Sequence, residues 1–208
     1  MKNLFSPKAA LPLLILILAA GISSAQRIKG KQFIYWDEQN KISWEDFRGN
    51  AFGKSVQGIP GTAAVSRVGI KREYLRYEES PDTISLRFRA TFNRFLSSVN
   101  PNWKTARYLE HEQLHFDMTE LLARKMRRAY ILADLNIPAE KKKFPKIIRS
   151  LTEEYKTQQE VFDKDRYTSA EKQKEWRVKI DKELKNLAEY SHPVVSFRVL
   201  DWGSTVKK

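Results

Sequence analysis

Residues His111-Glu112-Gln113-Leu114-His115 set two histidines four positions apart with a glutamate directly after the first. This spacing constrains the chain more than any other feature. On an α-helix, side chains four apart lie on one face, so both imidazoles can reach a single Zn²⁺ while Glu112 sits beside it as a general base. Two nitrogens must meet one ion at about 2.0–2.1 Å, and a carboxylate must reach the attacking water without displacing it. The motif holds two of the three histidines in 208 residues. The chemistry it points to is metal-assisted hydrolysis, most often of a peptide bond.

The flanking pattern supports a helix that turns these histidines inward. From His111, one stripe runs through His115, Met118 and Leu122, an apolar face at helical period. Arg107, Glu110, Arg124, Lys125, Arg127 and Arg128 predict a polar opposite face. The periodic run extends from about Thr105 to Leu135, with a start at Asn102 or Thr105.

The first 25 residues read as a signal peptide. Lys2 and Lys8 form a positive n-region, Ala9 to Ala20 a short apolar h-region, and Ser23-Ser24-Ala25 a small-residue cleavage site before Gln26. The mature chain, 26–208, then forms a single domain with no stable membrane span, located in the periplasm or secreted. It contains no cysteine, so neither a disulfide nor a lipid anchor on Cys is available, and stability must come from the core. The net charge of +13 raises nucleic acid or another anionic polymer as a partner. The basic residues are, however, interleaved with acids, as in Glu140-Lys141-Lys142-Lys143 and Lys182-Glu183-Leu184-Lys185. This is the pattern of a solvated helix surface, and no nucleic-acid-binding module accompanies it.

Elements rich in β signal come first and helices follow. Ile84, Leu86 and Phe88 alternate with Ser85, Arg87 and Arg89, a half-buried strand, and Thr62 to Ile70 is a second strand candidate. After Trp103 the period becomes helical. Ile148, Leu151, Tyr155 and Phe162 suit a helix starting near Pro145, while Trp176, Ile180, Leu184 and Leu187 suit another. Thr168 and Glu171 have capping-box spacing, so Tyr167 to Ser169 marks the break. The tail from Val194 to Trp202 can return as a strand. The fold class is α+β: a small, mostly antiparallel sheet packed on the long helix of the motif, with further C-terminal helices. A strand beside the metal could pair with an extended substrate backbone, and Thr83 to Asn93 is the candidate edge.

Three blocks together resemble a known family. Ile42-Ser43-Trp44-Glu45-Asp46-Phe47, then Glu110-His111-Glu112-Gln113-Leu114-His115-Phe116-Asp117, then Phe162-Asp163 with Gln173 to Trp176 are similar to the bacterial family catalogued as domain of unknown function 922. The resemblance spans nearly all of the mature chain. It implies a secreted zinc-dependent protease with a zincin-like fold. The family's downstream motif runs approximately Tyr-Asp-x-x-Thr-x-His-Gly, and here Arg166, Thr168 and Ser169 stand at its threonine, histidine and glycine positions. The natural third histidine ligand is therefore absent, and Met118 and Leu121 exclude the one-helix alternative HExxHxxGxxH.

Asp163, at the family's own aspartate, is the first candidate to complete a site of His111, His115 and Zn²⁺, either as a ligand or by holding an imidazole N–H. His192, the third histidine, ranks second, with Asp165 and Glu160 behind it. Tyr167 is a candidate hydrogen-bond donor to an oxyanion. The expected activity is zinc metallopeptidase chemistry on a peptide or protein substrate, in the cell envelope or outside, with Glu112 as catalytic base. The alternative is a non-catalytic envelope protein of the same fold that binds a partner or an anionic polymer.

Overall fold

A computed structural model describes residues 31–51, 63–75, 83–134, 138–165 and 169–198. The leader, Tyr167, Thr168 and the tail beyond 198 lie outside these. In order, the elements are β1 (Phe33–Tyr35), β2 (Ala64–Val65), β3 (Val68–Leu75), β4 (Thr83–Asn93), β5 (Ser98–Val99), α1 (Ala106–Leu132), α2 (Pro138–Asp165), α3 (Ala170–Asn186) and β6 (Val194–Arg198). The architecture is α+β, an antiparallel sheet with three helices, as the succession of patterns predicts.

β4 is the spine of the sheet. β3 pairs with it from Ser85 to Phe92 along one edge, while β6 takes its first half and β1 its last three residues along the other. The gap between β6 and β1 is bridged by Phe88 N donating to Pro193 O and by Trp36 N donating to Ala90 O. Thr83 to Asn93 is thus an interior strand and not an edge, which corrects the expectation above. Leu86, Phe88, Ala90 and Phe92 are buried on the face toward α1, and the alternation of β4 has this cause. On the other face Glu73 binds Lys71 at 3.0 Å, Arg89 at 2.8 Å and Arg87 at 3.6 Å, and Arg89 stacks on Tyr35.

α1 starts where the sequence places it, with Thr105 Oγ1 accepting from Tyr108 N, which satisfies one of the free N–H groups of the first turn. Its polar face meets solvent only in part: Arg107 and Arg128 are exposed, whereas Arg124 and Arg127 are buried. The sheet packs on one side through Phe116 and Leu122, and α2 and α3 close the rest through Leu114, Met118 and Leu121 against Phe162, Trp176 and Ile180. Every residue from His111 to Arg124 is buried. Arg124 and Arg127 both bind Glu120, at 3.1 and 2.8 Å. They also donate to carbonyls at the end of α3 and beyond, Arg124 to Leu184 O and Arg127 to Ser191 O. These are carbonyls a helix terminus leaves without intrahelical partners, so the charges expected on a wet face tie down the C-terminal segment.

α2 begins at Pro138, seven residues before the predicted start, and carries Pro145 inside it. Proline at a first helical position costs no hydrogen bond, and Phe144 and Ile148 keep this turn packed on Tyr130 and the sheet. The break before α3 falls where expected, but Ser169 is the cap, its Oγ accepting from Lys172 N. No helix among the described residues is long and apolar enough to cross a membrane.

Candidate metal centre

α1 and α2 run antiparallel with a fixed register. Tyr155 meets Thr119, Gln159 meets His115 and Asp163 meets His111, each pair one turn along one helix and one turn back along the other. The last two turns of this seam hold the side chains that could bind a metal. His111 and His115 are 2% and 9% exposed. Their Nε2 atoms lie 3.0 Å apart, and Asp163 Oδ1 is 3.2 Å from His111 Nε2 and 3.1 Å from His115 Nε2.

Three donor atoms at these separations fit one small cation. A tetrahedral ion with bonds of about 2.0–2.1 Å has ligand–ligand edges of about 3.3–3.4 Å, slightly longer than the triangle here. Two imidazoles and a carboxylate suit zinc or a neighbouring transition metal. Asp163 presents its oxygen to the Nε2 side of both rings, the side a ligand takes, so it could serve as a direct third donor. Among the described residues His111, His115 and Asp163 form a group that could hold a metal ion.

The surroundings fix the rings. His115 Nδ1 makes a short hydrogen bond to Gln159 Oε1. His111 stacks on Phe162, ring centroids 4.3 Å apart at 18°, while Phe162 meets His115 edge-on. The two histidines titrate in opposite directions. Burial lowers the pKa of His111 below its usual value. Burial pulls His115 down too, but the hydrogen bond to Asp163 and the charges of Glu112 and Asp163 outweigh it, and its pKa rises. Burial raises the pKa of Asp163, yet its bonds to the two imidazoles prevail and keep the carboxylate ionised well below the usual range.

Glu112, 4% exposed, lines a cleft of about 720 Å³ together with His115 and Asp163. One wall is the β2–β3 segment, with Ala64, Val65, Ser66 and Val68, and the other is α2, with Gln159, Glu160 and Lys164. The remaining sequence candidates go elsewhere. Glu160 is an exposed wall residue, and Asp165 accepts from Trp176 Nε1 at 2.9 Å. His192 is exposed, with its ring on Val194. Its carbonyl meets Arg127, about 18 Å down α1 from His115 at 1.5 Å per residue.

Asp117, 0% exposed, is a junction beneath the site. It accepts from Trp36 Nε1 at 2.6 Å, Gln113 Nε2 at 2.7 Å and Arg177 Nη1 at 2.7 Å. Gln113 in turn accepts from Ile42 N. Sequence reading passed over Gln159, although Gln159 and Asp163 stand one helical turn apart, a spacing that signals a shared face. No protein-family model, no curated protein and no solved structure matches the chain. What stands is an α+β domain with a His-His-Asp group beside a cleft.

Proposed function

We propose that this protein is an exported zinc-dependent metallohydrolase, a metallopeptidase of zincin-like type related to the family that its sequence blocks resemble. The observation that carries the reading is the convergence of His111 Nε2, His115 Nε2 and Asp163 Oδ1 within 3.0–3.2 Å, with Glu112 on the same cleft. Bound zinc would supply a Lewis acid that acidifies water and polarises a carbonyl. His111, His115 and Asp163 would hold it. Glu112, adjacent to one ligand and reachable from the cleft, takes a proton from the attacking water on its carboxylate and passes it to the leaving amine.

The β2–β3 wall, and not β4, is the backbone available to an extended substrate. β3 is the outermost strand of its sheet among the described residues, and Val68 at its start lines the cleft. Main-chain pairing there would give affinity without demanding a particular sequence. One observation favours the non-catalytic alternative: Asp163 Oδ1 already lies 3.1–3.2 Å from both imidazoles, so the cluster can serve as a clasp between α1 and α2. Glu112→Gln separates the readings. For an enzyme, the substitution should leave zinc bound and lower turnover of a casein or peptide-library substrate about 10²–10⁴-fold. Turnover equal to wild type would refute the base assignment.

A further inference from the structure

Gln159 is the residue of the α1–α2 seam that the proposed chemistry does not yet use. It sits between two anchored pairs. One turn earlier, Thr119 Oγ1 donates to His115 O at 2.8 Å, so Tyr155, 2.9 Å from the same oxygen, must be the donor to Thr119. One turn later, Asp163 meets both imidazoles. Gln159 is therefore held in register from both sides, and its Oε1 reaches His115 Nδ1.

That contact fixes which nitrogen faces the metal position. An amide oxygen can only accept, so Nδ1 is the donor to Gln159, and Nε2 is the nitrogen left to meet an ion between His111 and Asp163. Among the described residues His111 has no equivalent partner on Nδ1, which is buried without a hydrogen bond, and Phe162 stacks on its ring. The two histidines are thus held by different means.

We infer that Gln159 is a positioning residue for the metal centre, whose Oε1 orients His115 and makes it the anchoring ligand. This rests on the metal-binding reading above and adds which residue outside the donor set determines affinity. The amide nitrogen has no part in it, since Nε2 is buried and has no partner among the described residues. The role therefore needs only the acceptor oxygen, and a carboxylate at the same position preserves it.

The test uses the full chain with Gln159→Ala and Gln159→Glu, titrated with Zn²⁺ against a competing chelator at about pH 8. Nitrogen NMR reads the Nδ1–H hydrogen bond of His115 independently. Gln159→Ala should weaken zinc binding roughly 10–100-fold and remove the hydrogen-bonded Nδ1–H signal. Gln159→Glu should restore both. Unchanged affinity in Gln159→Ala would overturn the inference, and so would a Glu variant as weak as the Ala variant while melting like wild type. Should wild type bind no zinc, the proposed function falls, and the hydrogen-bond measurement alone then decides the role of Gln159.

Discussion

Replacing Asp117 with alanine strikes the junction that ties α1 to its neighbours. The carboxylate receives Trp36, the residue after β1, Gln113 from α1 and Arg177 from α3, all at 2.6–2.7 Å. Its loss leaves two neutral donors with no acceptor, each costing about 1–3 kcal/mol where buried. Stranding a buried charge costs about 3–5 kcal/mol, but Arg177 keeps Glu110 at 2.7 Å and Asp181 at 3.0 Å, and its side chain is 23% exposed, so its share is small. The sum is about 4 kcal/mol. At about 2–4 °C per kcal/mol for a domain of this size, the midpoint should fall by about 8–16 °C. Urea denaturation of the metal-free protein measures the loss directly. Asp117→Asn, which keeps one acceptor oxygen, should cost less. In the double variant with Arg177→Leu the losses should sum to less than the two singles. A loss below about 1 kcal/mol for Asp117→Ala would show that the junction contributes no more than an exposed contact.

Gly49→Ala should destabilise by about 1–3 kcal/mol, because an added Cβ would lie 2.4 Å from Ser98 Oγ, 2.8 Å from Ser97 O and 2.9 Å from Phe95 O; a denaturation midpoint equal to wild type would contradict that packing. The thermal stabilisation conferred by Zn²⁺ should grow as pH rises from about 5.5 to 8. The pKa of His115 is raised above the ordinary 6.5, so in the metal-free protein its contribution is full below that value and fades as pH rises through the folded pKa. A proton on the same ring competes with the metal. Scanning calorimetry with and without zinc across this range checks the sign, and a gain that shrinks with pH would refute it.

Much of the candidate site was legible because it lies on one helix: the spacing of His111 and His115 needs only helical geometry. Asp163 was reachable through its place in a family motif, and the structure puts it beside both rings. Gln159 was not, since an amide carries no chemical signature until its partner is known. The alternation in β4 named its buried face correctly but could not say whether the strand had one neighbour or two. The alternation of side chains is the same in either case. Arg124 and Arg127 were misplaced for a related reason: a charge pattern reads as a wet face, whereas here Glu120 and the carbonyls of the C-terminal segment compensate the burial. The six-residue block from Ile42 also acquires a physical meaning. Ser43 and Asp46 close a capping box, Asp46 binds the buried Arg94 at 3.3 Å, and Ile42 and Phe47 enter the core.

The most direct measurement is the zinc content and affinity of the purified protein and of four single variants. Wild type should bind one ion per chain, lost or greatly weakened in His111→Ala, His115→Ala and Asp163→Ala, and unchanged in His192→Ala. A wild-type protein that takes up no zinc, or an Asp163→Ala variant that binds it as tightly as wild type, would contradict the site as assigned.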